Sequence, residues 1–378
     1  MKLFYILKAM AQKAGLERVI ADKINWLAEQ GYEITLVTYE QGEHPLSYHL
    51  HPAVKVIDID VRFFKLGAIP IYRRIWAYRQ MRRLFAERLQ KIVDDTNPDI
   101  IIATTYSLKV AKEIATLRTN AKKIMESHSA CFSVGKEYDF RSTTVMKYVA
   151  RGFDKIYYRP IKRFDILVVL TEGDKRDWSR YMDRITVIPN PVTRYPEEVP
   201  PKQLRHRILA VGRLTYQKGF DRLVEAFALI ADRYPLWHID IYGNGEDRQA
   251  LQGLIDSHGL QGRINLCEPT NNIYHEYLQS DFLVLSSRYE GYPLVLNEAM
   301  SCATPCVAFR CKYGPEDAIT DGVDGLLVAD GDISQLAEKM AWMMTHDDER
   351  QKMGLQAREA ARRYTKDAIM SRWVSLFK

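Results

Sequence analysis

Short apolar runs and longer helical patterns alternate along the whole chain. In the first half the runs fall at residues 3–7, 33–37, 54–59, 100–103, 123–125 and 166–170. In the second half they fall at 208–211, 238–242, 264–266, 282–285, 305–309 and 325–328. Most are apolar at nearly every position and too short for a helix, which predicts strands buried on both faces. Helical periodicity is expected between them, over 16–30, 79–95, 221–234, 246–258, 292–302 and 333–345. Buried strands alternating with helices predict parallel sheets, and two such sets predict two doubly wound α/β domains.

The break between the sets is Ile188-Pro189-Asn190-Pro191-Val192, followed by a polar stretch over 194–202. Two prolines in three residues continue neither a helix nor a central strand. The expected division is therefore 1–188 for the first domain and 189–358 for the second. Residues 359–378 are expected to form a helix that crosses back to the first domain. A cleft between two such domains is a standard place for a ligand.

Composition narrows the function classes. The chain has 378 residues, of which 47% are hydrophobic, enough for two packed cores. Its net charge of +6 is uneven: the first 190 residues carry 32 Lys+Arg against 22 Asp+Glu, the remainder 22 against 26. A basic first half suits an anionic partner, or is simply a solvated basic face. The first ten residues read as a buried strand rather than a cleavable leader. No run reaches the roughly 18 apolar residues of a spanning helix. The five cysteines form no metal-ligand spacing and read as reduced core thiols, so a cytoplasmic protein is expected.

Chemistry concentrates where predicted strands end. In Ser286-Ser287-Arg288-Tyr289-Glu290-Gly291-Tyr292-Pro293-Leu294-Val295, a strand gives way to a loop carrying Glu290 and Gly291. A helix is then expected from about Tyr292, with Pro293 in its first turn. The amides of Leu294 and Val295 are expected to be free, at the positive end of the helix dipole, where a diphosphate would fit. Glu298, one turn after Leu294, could accept two hydroxyl hydrogen bonds from a ribose. A second loop, Gly212-Arg213-Leu214-Thr215-Tyr216-Gln217-Lys218-Gly219, supplies two cations bracketed by glycines that would let the backbone approach a ligand. A third, Gly243-Asn244-Gly245, is a weak phosphate signal alone and gains value from lying on the same sheet edge. Asp58-Ile59-Asp60 superficially resembles a metal-binding pair but sits in an alternating strand, where polar surface is the expected reading.

These elements together resemble the retaining glycosyltransferases of family 4, also called group 1, which have the two-domain GT-B fold. The likeness runs through residues 211–219, Gly243-x-Gly245, Glu290-x7-Glu298, the proline hinge, Gly314-Pro315-Glu316-Asp317 and residues 321–328. The resemblance implies two Rossmann-like domains with parallel sheets facing a central cleft. It implies that Arg213 and Lys218 hold the donor diphosphate and that Glu298 binds the ribose. Glu290 and Gly291 would meet the transferred sugar, assisted by the amides near Leu294 and Val295. Gly15 matches the family's glycine loop, with Ala14 where a second glycine is usual. His128, in Glu126-Ser127-His128, matches a histidine near the transferred sugar. Glu268 stands where the base-binding turn commonly has glycine, which leaves the base open.

The implied activity is retaining transfer of a hexose or N-acetylhexosamine from a nucleotide-diphosphate sugar, UDP by default, to a glycan or lipid-linked glycan. Cell-surface polysaccharide biosynthesis is the expected setting. Preorganised cations would stabilise the leaving diphosphate without a metal, and no cofactor is expected. Basic and aromatic residues over 62–85 and 147–164 suit an anionic membrane surface, or are ordinary amphipathic helices. A nicotinamide dehydrogenase is disfavoured because residues 8–15 lack Gly-x-Gly-x-x-Gly. A nucleic-acid binder lacks any motif. A non-catalytic glycan- or nucleotide-sugar-binding protein on the same fold remains the rival from another class.

Overall fold

The structure, a computed structural model, describes residues 1–11, 15–105, 110–131, 158–200 and 203–378. By internal contacts the chain divides into two compact units. One is Met1–Ile188 with Trp373–Lys378; the other is Pro189–Arg372.

The first unit holds a seven-stranded sheet of β1 (Lys2–Leu7), β2 (Glu33–Thr38), β3 (Lys55–Asp58), β4 (Ile100–Thr104), β5 (Lys122–Glu126), β6 (Ile166–Val169) and β7 (Ile185–Val187). Their order is β3-β2-β1-β4-β5-β6-β7, and every neighbouring pair is parallel. The second unit holds a six-stranded sheet of β8 (Arg207–Val211), β9 (His238–Tyr242), β10 (Ile264–Cys267), β11 (Phe282–Leu285), β12 (Cys306–Phe309) and β13 (Gly325–Val328). Its order is β10-β9-β8-β11-β12-β13, again parallel throughout. Both sheets grow in two directions from their first strand. The reversal lies between β1 and β4 in one unit and between β8 and β11 in the other.

Alternation within a strand explains why these runs are apolar at every position. In β8, Ile208 and Ala210 join a core with Ile239, Ile241, Phe282 and Val284. Leu209, between them, joins a separate core with Leu283, Leu285, Cys306 and Ala308 on the other face. Two helical layers cover one sheet, so neither face can be polar.

Local departures from the expected elements have local causes. The strand Ile185–Val187 and the helix Glu172–Trp178, capped by Thr171 Oγ1 on the Asp174 amide, were not expected. The helix expected over 221–234 stops at Ala228, and a separate 3-10 turn covers Ala231–Arg233. There Arg263 donates to the carbonyls of Ala231, Tyr234 and Trp237, closing the chain ahead of Pro235. The helix expected from residue 79 begins eight residues earlier and spans Ile71–Thr96. It ends on Asn97 in the left-handed region, whose amide caps Val93 O just before Pro98.

Phe282 is wholly buried at the centre of the second sheet. Phe282→Ala should cost about 3–5 kcal/mol, read as a lowered urea midpoint for the unit that contains it.

Candidate functional site

In open parallel sheets, ligands bind beyond the carboxyl ends of the strands where strand order reverses. In the second unit that point lies between β8 and β11, and the two loops that leave them are the ones carrying Arg213, Lys218 and Glu290. The loops are joined directly. Lys218 Nζ donates to Glu290 Oε1 at 2.7 Å, and Ser287 Oγ donates to the same oxygen at 2.6 Å. Ser286 Oγ donates to Lys218 O at 3.0 Å, the Arg288 amide to Gln217 O at 2.8 Å, and Gln217 Nε2 to Tyr289 O at 3.1 Å. Arg288 forks onto Asp221, with bonds of 2.8 and 2.5 Å, and lies 4.0 Å over the Tyr216 ring. Burial favours the neutral form of Asp221, but the Arg288 guanidinium overrides it and holds the carboxyl below its ordinary range.

The sequence signalled Lys218 and Glu290 as separate ligand contacts. The structure brings them together as a mutually neutralising, largely buried pair. Arg213, by contrast, is exposed, and its side chain has no hydrogen-bond or ion-pair partner among the described residues. It therefore carries the uncompensated charge of its loop. The role of Arg288 and Asp221 in clamping the loops was missed. The signal was in plain view, since Arg288 sits two residues before Glu290.

Helix geometry corrects another expectation. The helix after the Glu290 loop runs Leu294–Ser301, two residues later than expected, with Pro293 as its N-cap at ψ 83°. The Leu294 amide is not free: it donates to Tyr292 O at 3.0 Å. Leu296 N–H reaches Pro293 O, so of the first-turn amides Val295 is left for an anion. Gly291 and Val295 are half-buried, consistent with an opening at this turn. Glu298 lies inside the helix and is buried, with Oε2 accepting from Tyr277 Oη at 3.0 Å. Burial and this carboxylate push the Tyr277 hydroxyl well above its usual pKa, so it stays a donor.

The glycines also serve a purpose that their spacing did not signal. Gly219 has φ 61°, and a Cβ there would lie 2.3 Å from the Ser286 carbonyl oxygen. A Cβ on Gly243 would lie 1.8 Å from the Gly212 carbonyl oxygen. Both positions have to be small because neighbouring loops pack backbone on backbone there. Glu268, exposed, pairs with Arg248 at 3.1 Å.

The first unit holds the remaining two candidates. Gly15 opens the helix Gly15–Glu29, while Ala14 lies outside the described residues. His128 follows β5, its Nε2 3.1 Å from Glu126 Oε1. That contact is close enough for electrostatic coupling but lacks the alignment of a good hydrogen bond. Asp58 is occupied by Thr38 Oγ1 and the Gly42 amide, and Asp60 by Arg62. Among the described residues no group of three metal-ligating side chains occurs.

Comparison with known proteins agrees across the chain. Residues 14–194 match the family described as Glycosyltransferase Family 4, and residues 193–360 match Glycosyl transferases group 1. An uncharacterized glycosyltransferase of Haemophilus influenzae is 24% identical over 98% of both chains. The amylovoran biosynthesis glycosyltransferase AmsD of Erwinia amylovora is likewise 24% identical over 98% of each. A Campylobacter jejuni enzyme named as an alpha-1,4-N-acetyl-D-galactosaminyltransferase, acting on an undecaprenol-linked glycan, is 24% identical over 100% of this chain and 98% of its own. Among solved structures, S. aureus TarM in complex with Fondaparinux, alpha-GlcNAc-glycerol and UDP superposes with a TM-score of 0.74. It does so at 16% identity, over 100% of this chain and 99% of that one.

If Gly243 is small for packing, Gly243→Ala should lower the melting temperature with no ligand present. An unchanged melting temperature with weakened nucleotide binding would restore the ligand-approach reading.

Proposed function

This chain belongs to the family 4, group 1 glycosyltransferases of GT-B fold, and we propose that it moves a sugar from a UDP-sugar to a glycan or lipid-linked glycan with retention of configuration. That it is a glycosyltransferase follows from its family. The donor, acceptor and stereochemistry are our reading. The observation that carries it is the cationic, hydrogen-bonded loop pair at the reversal point of the second sheet, with Glu298 on the adjoining helix.

Breaking the anomeric bond puts negative charge on the departing diphosphate. Arg213 meets that charge directly, and the Val295 amide adds a fixed dipole. Lys218 is held by Glu290 until the diphosphate competes for its ammonium. Glu290 is thereby freed to accept hydroxyls of the transferred sugar, with Ser287 keeping its carboxylate in place. Glu298, oriented by Tyr277, takes the ribose hydroxyls. This arrangement supplies the charge that a divalent metal would otherwise provide, so transfer should persist in EDTA. UDP bound to TarM and the lipid-linked acceptor named for the Campylobacter enzyme support these choices of donor and acceptor. The setting we propose is the synthesis of cell-surface polysaccharide, as the name of AmsD suggests for that relative.

The acceptor side adds a surface argument. Phe64, Tyr72, Ile75 and Trp76 are 60%, 74%, 68% and 68% exposed. Lys65, Arg73, Arg79 and Arg83 are exposed around them. Among the described residues no helix is long and apolar enough to cross a membrane. Aromatics ringed by cations suit an anionic lipid surface, where apolar burial and electrostatic attraction add. Arg82 does not belong to this strip, because it is tied to Glu113 at 2.6 Å. Of the second basic stretch, residues 147–157 lie outside the described residues.

A panel of nucleotide sugars screened by thermal shift should single out a UDP-sugar. NMR of the product should then show a retained anomeric configuration; an inverted product overturns the mechanism. Arg213→Ala should lower kcat by about 10²-fold, whereas Glu298→Ala should abolish the donor-induced thermal shift. In liposome flotation, replacing Tyr72 and Trp76 with serine and Arg73, Arg79 and Arg83 with glutamine should abolish binding to vesicles containing phosphatidylglycerol. Unchanged binding removes the membrane from the proposal.

A further inference from the structure

A charged cluster is buried on one face of the first sheet. Thr104 of β4 is in register with Glu126 of β5, and Tyr5 of β1 with Ile102, two residues before Thr104. Tyr5, Thr104 and Glu126 therefore project to the same face. Lys23, from the helix Gly15–Glu29, donates to Glu126 Oε1. The Lys23 ammonium also sits 3.6 Å from the centre of the Trp373 ring, near the end of the last helix. Lys23, Glu126 and Trp373 are each 1% exposed.

Such a pair is an expensive way to fill a core. Two charges removed from water are repaid only by excellent geometry, and apolar residues of similar volume often serve a core as well or better. The surroundings raise the cost, since Tyr5 Oη, Thr104 Oγ1, Glu126 Oε2 and His128 Nε2 make no hydrogen bond among the described residues. The carboxylate is nevertheless secure. Burial disfavours its charge, but Lys23 and then His128 outweigh that and bring Glu126 down to about 2. The same oxygen that takes Lys23 faces His128 Nε2, two residues along the chain.

We propose that Lys23, Glu126 and Trp373 are positioning residues for His128. With a carboxylate oxygen 3.1 Å away, a proton on Nε2 is favoured over a lone pair there even without hydrogen-bond alignment, which leaves the Nδ1 lone pair for a substrate hydroxyl. Lys23 fixes the carboxylate, and the Trp373 ring face closes over the ammonium, holding it against Glu126. The end of the last helix thus takes part in arranging a residue far earlier in the chain. The proposal rests on the reading of His128 as a contact to the transferred sugar.

The first test needs no variant. Nitrogen-15 NMR of the intact protein labelled at histidine should show His128 as the Nε2–H tautomer at neutral pH; an Nδ1–H or doubly protonated ring overturns the proposal. The second uses Lys23→Met/Glu126→Gln, which removes both charges together and avoids stranding one. With UDP-hexoses and UDP-N-acetylhexosamines as probes, UDP release should fall about 10²-fold in kcat at unchanged donor KM. Trp373→Phe should keep the activity and Trp373→Leu should lose it. The controls separate two failures. If His128→Ala has native kcat, the reading of His128 is wrong. If His128→Ala is impaired while the double variant is native, the histidine stands and the positioning set is wrong.

Discussion

The second unit is organised around the meeting of two loops at the reversal of its sheet. Because β8 and β11 are neighbours, the chain leaving each must pass the other, and the Ser286 carbonyl lies where any side chain on residue 219 would project. That approach brings Lys218 within 2.7 Å of Glu290 and allows Arg288 to clamp Asp221. The helix Leu294–Ser301 then starts from a fixed loop, which sets where Glu298 sits. Opening the contact at Gly219 would disturb the cations, the carboxylates and the helix start together.

The two units treat charge differently. In the second, the pair Lys218–Glu290 joins two strand-end loops at the reversal of the sheet, where the proposed diphosphate would compete for it. In the first, Lys23–Glu126 is sealed beneath an indole ring and faces a histidine. An ion pair near a ligand can be exchanged for ligand contacts. A sealed one cannot, and its effect is to fix geometry and protonation in its neighbour.

Much of the fold was legible because a strand covered on both faces must be apolar at every position, and such runs stand out between helical patterns. Ile185–Val187 was missed because three residues with one polar centre give no period to recognise. The 26-residue helix was read short because its first turns carry exposed aromatics and arginines, which follow no core stripe. In the site, Arg213, Lys218, Glu290 and Glu298 were visible as charges set at strand ends. The pairing of Lys218 with Glu290, the occupied Leu294 amide and the packing role of Gly243 were not.

The sequence by itself determined the alternation of buried strand and helix, the proline break between two sets, and the charged residues that follow the strand ends. These are local properties, since period, propensity and charge are readable within a window of a dozen residues. The tertiary structure alone decided which charges are free and which are already paired. Lys218 and Glu290 are 72 positions apart, and Lys23 and Glu126 are 103. Both distances are closed by strand order, and strand order is set by the packing of a whole sheet rather than by any stretch of its sequence.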